Sequence, residues 1–144
     1  TKDPKEIFAN LTYFAVYEWD PKLKTYVTAK ELEPGKGYWV FVLEDVNVTI
    51  RGIPFCEYNL TLEQGWNLIG LHAEWTKTVQ TYLKGVKDEW AYLVQYNNYI
   101  KFEVDQPPDI QLGGFASLDE GDDMVPGLGF WLFLRQPGSI AAAP

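Results

Sequence analysis

Apolar residues recur along this chain with two periods, and the change from one to the other lays out its elements. Ile7, Phe8 and Leu11 fall at helical spacing behind Asp3-Pro4, a capping residue followed by a ring suited to the first turn. They predict a short helix over about Pro4 to Asn10. Tyr13 to Trp19 is aromatic and β-branched, turns at Asp20-Pro21-Lys22 and returns as Lys24 to Thr28, the pattern of a hairpin. After a loop from Ala29 to Pro34, the segment Gly37 to Leu43 is apolar on both faces, as in a strand covered on both sides. Val46, Val48 and Ile50 then alternate with Asn47, Thr49 and Arg51, which predicts a strand with one wet face. Gly52-Ile53-Pro54 turns the chain toward Tyr58 to Leu62 and Trp66 to Leu71, read as a second hairpin through Glu63-Gln64-Gly65. Val79, Tyr82, Leu83 and Val86 follow Thr76-Lys77-Thr78 as a second short helix, with Gly85 placed as its C-cap. Trp90 to Tyr96 and Tyr99 to Val104, joined at Asn97-Asn98, predict a third hairpin.

This order occurs twice. Pro34-Gly35-Lys36-Gly37-Tyr38-Trp39-Val40-Phe41-Val42 is echoed by Pro126-Gly127-Leu128-Gly129-Phe130-Trp131-Leu132-Phe133-Leu134, and Trp19-Asp20 aligns with Tyr96-Asn97. Helix, hairpin, loop and strand run from residue 2 to 43 and again from about 76 to 134. In each copy Pro fixes φ and two glycines supply turn conformations that other residues resist. Asp105 to Gly114 has no counterpart in the first copy and reads as an insertion. Val46 to Leu71 leads into the second copy without an equivalent ahead of the first, so the first copy reads as cut. Thr1 opens the chain without a leader, as in an excised or processed piece. The expected architecture is mainly β: two similar antiparallel units, each with one short helix, packed as a sandwich or a partly closed barrel. Residues 1–52 form the first, N-terminally truncated unit, 53–140 the second and 141–144 a tail, within one compact pseudo-symmetric domain.

Composition narrows the function classes. Among 144 residues, twenty acidic against twelve basic side chains give a net charge of −8, and no Lys/Arg cluster exists to gather a phosphate backbone or an anionic bilayer. Nucleic acid and an anionic membrane surface are therefore not expected, and no apolar run approaches the roughly 20 residues that span a bilayer, so membrane insertion is not expected. Cys56, the single cysteine, excludes an internal disulfide and a multi-Cys zinc site, and reads as a small buried apolar residue. Three N-x-[ST] sequons, at Asn10, Asn47 and Asn59, point to an exported, glycosylated protein.

Candidate chemistry is sparse. One histidine, His72, and two serines, Ser117 and Ser139, offer no nucleophile-elbow context, and His72 reads as a hydrogen-bonded residue at a sheet edge. Glu18, Glu31, Glu33, Glu74, Glu89 and Glu103 are candidates for a glycosidase pair, but nothing in the sequence brings two of them to one cleft. No catalytic residue is assigned. Asp119, Glu120, Asp122 and Asp123 form the densest acidic run, either a solvated turn or oxygen donors for Ca²⁺, without the EF-hand spacing. No other cofactor is expected. Among the rings, Trp39, Trp66 and Trp131 lie in strands apolar on both faces and are expected in the core. Trp19, Trp75, Trp90, Tyr96 and Tyr99 sit beside turns or polar residues, where flat rings could stack on a sugar, Trp75 and Trp90 being the first choices and Tyr96 and Tyr99 next.

The segments Gly65 to Ile69, Pro34 to Trp39 and Pro126 to Trp131 resemble the repeats of large surface and secreted proteins of archaea and bacteria. The signature of those repeats is Gly-Trp-Asn-Leu-Ile followed later by Pro-Gly-x-Gly-Tyr-Trp. The resemblance implies an extracellular, mainly β module that accompanies other domains and carries no catalytic residues. Phe130 in place of Tyr, and the lack of a Gly-Trp-Asn-Leu-Ile segment in the first copy, depart from it. The expected function is a non-catalytic structural or interaction module of a cell-surface or secreted protein, its partners being neighbouring domains. The alternative is a carbohydrate-binding module of an exported enzyme, with polysaccharide as partner.

Overall fold

Asp3 starts the first helix as expected: its Oδ1 accepts a hydrogen bond from the Lys5 amide at 2.8 Å, and Pro4 opens α1 (Pro4–Ile7). The computed structural model describes residues 2–50, 58–100 and 112–142. β1 (Tyr13–Asp20) and β2 (Thr25–Thr28) form the first hairpin. Asp20 Oδ1 closes its turn by accepting from the amides of Lys22 and Leu23, both at 2.9 Å. β3 (Trp39–Val42) pairs with the other edge of β1, giving the sheet order β2-β1-β3. Phe8, Val16 and Ala29 make a small core on one face, with Leu32, Tyr38 and Val40 around them.

β4 (Tyr58–Leu62), β5 (Gly65–Gly70), β6 (Lys77–Thr78), α2 (Val79–Tyr82), a 3-10 turn (Lys84–Val86) and β7 (Trp90–Ile100) follow. The chain ends in β8 (Leu112–Ser117), β9 (Asp123–Met124), β10 (Gly129–Leu134) and β11 (Gly138–Ala142). The larger sheet has the order β5-β10-β7-β8, and two short ladders join β4 to β11 and β6 to β9. Phe130, Leu132 and Leu134 of β10 are fully buried with Ile69 and Leu93, under Val79, Leu83 and Val86 and the inward residues Leu60, Leu62 and Ile140 of the β4–β11 ladder. All sheets are antiparallel, and none closes into a barrel among the described residues.

The three-strand orders β2-β1-β3 and β8-β7-β10 match, and so do their registers. Tyr17 faces Trp39 as Val94 faces Trp131, and Trp19 faces Tyr26 as Tyr96 faces Phe115. β5 touches both Pro-Gly-x-Gly turns. One of its edges pairs with β10 from Gly65–Leu134 to Gly70–Gly129. The other bonds to the first turn, Gly37 N to Leu68 O at 3.0 Å and Gly70 N to Gly35 O at 2.9 Å. Only the first glycine of each turn, Gly35 and Gly127, has a positive φ. Gly37 serves a different need, because a Cβ there would lie 2.8 Å from Ile69 O and Leu68 Cγ.

Several expectations give way to longer-range pairing. β4 and β5 are not a hairpin: β4 pairs with β11, so Ala141 and Ala142 are strand residues rather than a tail. β7 runs through Asn97-Asn98 and pairs with β8, so Leu112 to Gly114 belong to the sheet, not to an insertion. Gly85 does not cap α2; a Cβ there would stand 2.6 Å from Ser139 O, so it lets the 3-10 turn approach β11. Residues 46–50 form no strand, and Val46, Val48 and Ile50 are exposed, because alternation without a partner edge makes no ladder. The second face of β3 is covered only in part, Trp39 being half-buried and Phe41 60% exposed. Cys56, Gly52-Ile53-Pro54 and Lys101 to Val104 lie outside the described residues. No helix among those described is long and apolar enough to cross a membrane.

Leu132→Ala is expected to cost about 3 kcal/mol in urea unfolding, the range for emptying a filled core site. Gly37→Ala should lower stability by about 2 kcal/mol, because its nearest obstacle is backbone that cannot rotate away; an unchanged urea midpoint for Gly37→Ala would disprove the close-approach role.

Candidate functional site

The faces of the two sheets turned away from the cores carry aromatic rings. On the larger sheet they are Trp66, Trp131, Phe133, Tyr92, Tyr96 and Phe115; on the smaller, Tyr17, Trp19, Tyr26, Trp39 and Phe41. Strand alternation places them, since Phe130, Leu132, Leu134, Leu93 and Ile69 point the other way. The two sets meet reciprocally. Trp39 lies edge-on to Tyr96 at 5.0 Å, and Trp131, its counterpart, lies edge-on to Trp19, the counterpart of Tyr96, at 5.3 Å. Tyr26 joins Trp131 at 6.2 Å and Trp19 at 5.2 Å, while Phe115, in the equivalent place, joins Tyr96 at 5.2 Å. Trp19 Nε1 also donates to the main-chain oxygen of Trp66 at 2.8 Å, tying the smaller sheet to β5. Trp39 Nε1 is buried and has no acceptor among the described residues.

Among the described residues, three clefts open between these rings. One of about 350 Å³ is lined by Trp19, Tyr26, Trp66, Val94, Phe115 and Trp131. A second of about 420 Å³ is lined by Tyr17, Tyr26, Trp39 and Phe41. The third, about 470 Å³, lies between β3 and Gly127-Leu128-Gly129. Among the described residues, none is lined by an Asp, Glu, His, Ser or Cys side chain. Beside them Trp66, 40% exposed, and Tyr92, 61% exposed, stack 6.4 Å apart with 28° between their planes, each edge-on to Phe133.

The expected sugar-stacking residues do not form one surface. Trp75 is 73% exposed in the loop before β6 and makes no ring contact among the described residues. Trp90 packs against the main core instead, because the register shift between Phe133 and Leu134 turns it from the side occupied by Tyr92. Tyr96 joins the ring layer, and the side chain of Tyr99 lies outside the described residues. The expectation that Trp39, Trp66 and Trp131 are core is corrected: all three stand on the outer faces, none fully buried. Runs apolar on both faces cannot say whether the second face is capped.

The acidic run is a structural turn. Asp122 Oδ2 accepts from Asp119 N at 2.7 Å, while Glu120 O and Asp122 O accept from the amides of Gln80 and Val79 at the start of α2. No group of three or more His, Cys, Asp or Glu side chains converges on a metal position among the described residues. Asn10, Asn47 and Asn59 are all exposed, Asn59 on the outer side of β4. His72 follows β5, its amide donating to Tyr82 Oη at 3.2 Å. Comparison with protein-family models, curated proteins and solved structures finds no match.

Burial pushes the Tyr38 phenol well above its usual range, although the Glu33 amide donates to its oxygen at 2.8 Å, and burial raises Tyr82 as well. The folded state favours the neutral form, so this stability is complete below the unfolded value of about 10 and declines as pH rises beyond it. Phenolate absorbance should reveal tyrosines that ionise late in the native protein and near pH ~10 in urea, and Tyr38→Phe should shrink the late fraction. A native titration identical to that in urea would disprove the burial. Trp19→Ala removes two edge-on ring contacts and the bond to Trp66, for an expected loss of about 2 kcal/mol by denaturant melt.

Proposed function

We propose that this chain is a non-catalytic interaction module of a larger cell-surface or secreted protein, built from two similar units that face each other through their ring-bearing sheets. The reciprocal contact carries this reading. Trp39 against Tyr96 and Trp131 against Trp19 are the same pair of positions with the copies exchanged, as in an isologous interface between subunits. Clefts lined by Trp, Tyr, Phe, Val, Leu and Gly suit apolar side chains and extended backbone of another protein. Three exposed sequon asparagines support an exported setting. The repeat resemblance supports neighbouring domains as the natural partners.

One observation favours a second reading. Trp66 and Tyr92 are exposed and their planes are nearly parallel, and exposed aromatic faces of this kind stack on a sugar ring, which would make the chain a carbohydrate-binding module. Affinity electrophoresis through soluble polysaccharides separates the two. The interaction-module reading expects unchanged mobility in every gel; retardation abolished by Trp66→Ala or Tyr92→Ala would replace it with the carbohydrate reading.

A further inference from the structure

The two Pro-Gly-x-Gly turns are alike in sequence and unlike in surroundings. The first is filled: Gly35 and Gly37 are buried, and β5 lies between Gly35-Lys36-Gly37 on one edge and β10 on the other. A Cβ on Gly35 would meet the ring of Tyr58 at 3.2 Å, and one on Gly37 would strike β5. The second is open: Gly127 and Gly129 are exposed, a Cβ on Gly127 would meet nothing within 4 Å, and one on Gly129 only Ile69 O at 4.0 Å. Gly129 does not have a positive φ either, so nothing within the described chain requires a glycine there.

Exchanging the copies locates a place without a strand among the described residues. The place of β5, between β10 and Gly35–Gly37, becomes a place between β3 and Gly127–Gly129, and the cleft of about 470 Å³ lies there. β10 has partners on both edges, whereas β3 has a partner strand only on its β1 side among the described residues. Phe41, Val42 and Leu43 are exposed along it, and Leu128 presents an apolar side chain to the cleft where the first turn has Lys36. Trp39 borders the cleft, its buried indole N–H without an acceptor among the described residues. The indole of Trp19, by contrast, is satisfied by a main-chain oxygen of β5.

We propose that this cleft is a strand-docking site, and that its occupant is an extended segment of the Gly-Trp-Asn-Leu-Ile-Gly type carried by a further repeat unit. The segment would pair antiparallel with β3, bond to the Gly127–Gly129 backbone as β5 bonds to Gly35–Gly37, and offer a carbonyl to Trp39. The proposal rests on the reading of the chain as two similar units. It needs a glycine at 129, because the docked backbone takes the space a side chain would fill.

The test is titration of isotope-labelled chain with a peptide of residues 63–71, followed by amide and indole resonances and by thermal melting. The expected result is saturable binding with shifts at the Trp39 indole and the Leu128 and Gly129 amides, and a melting temperature raised by about 5 °C at a hundredfold excess over Kd. Gly129→Ala should melt within about 2 °C of the parent and bind the peptide at least tenfold more weakly. A peptide of reversed sequence should bind the parent at least tenfold more weakly. Absence of binding overturns the proposal, as does equal affinity for the Gly129→Ala variant. Shifts confined to β5 and β10, which mean exchange with the chain's own strand, or a dimer of the chain that the peptide cannot dissociate, overturn it too. Loss of this proposal with unchanged mobility in polysaccharide gels leaves the interaction-module reading standing, whereas retardation there removes that reading by a separate measurement.

Discussion

The contact between β5 and the backbone of Gly37 is the constraint on which the rest of the molecule depends. Among the described strands, β5 is the one whose main chain hydrogen-bonds to main chain in both halves, through Gly35 and Gly37 on one edge and β10 on the other. That closeness requires the absence of a side chain at Gly37, and a Cβ on Gly70 would likewise stand 3.0 Å from Lys36 O. Asn67 fixes how β5 begins: its amide nitrogen donates to Glu63 O and Gly65 O, and its Oδ1 accepts from Glu63 N. A buried amide with three bonds to one tight turn sets the register more firmly than apolar packing alone, since any slip would leave it unsatisfied.

The ring layer follows from this seam. With the two sheets joined at one edge of β5, their outer faces converge, and edge-on contacts between half-buried rings fill the angle. Aromatic pairs tolerate this geometry because ring edges and faces attract over centroid separations of roughly 4.5–7 Å. Aliphatic side chains of the same length would leave gaps. The high aromatic content, six Trp and nine Tyr in 144 residues, is thus largely explained by an interface that is neither core nor free surface.

Local signals in the sequence were dependable and non-local ones were not. Asp3-Pro4, Asp20-Pro21 and the first glycine of each turn act within a few residues, and the cap, the hairpin turn and the left-handed positions all appear where those residues stand. Partner choice acts at a distance. That β4 takes β11 rather than β5, and that Gly85 and Gly37 serve close approach rather than turns, depends on residues 31 to 84 positions away. Periodicity placed Trp39, Trp66 and Trp131 in strands but not on a face, because Phe130, Leu132 and Leu134 lie opposite them with equal hydrophobicity. The reciprocal pairing of Trp19 with Trp131 was recoverable in principle from the alignment of Trp19 with Tyr96, once the matching rings were asked to face one another.

An open strand edge is ordinarily a liability, since unpaired amides and carbonyls accept any extended chain. β3, whose second edge has no partner strand among the described residues, limits that risk by its dimensions and its ends. It is four residues long, and Lys36 just before it is held by Glu33 at 3.1 Å and Glu18 at 3.9 Å, a charged cluster that a mismatched apolar strand would have to cross. Across the cleft, the Gly127-Leu128-Gly129 backbone tolerates a neighbour only at the spacing that its two glycines allow. Two walls that must be satisfied together reject most strands that either would accept alone, so selectivity resides in the separation between β3 and the second turn rather than in any single side chain.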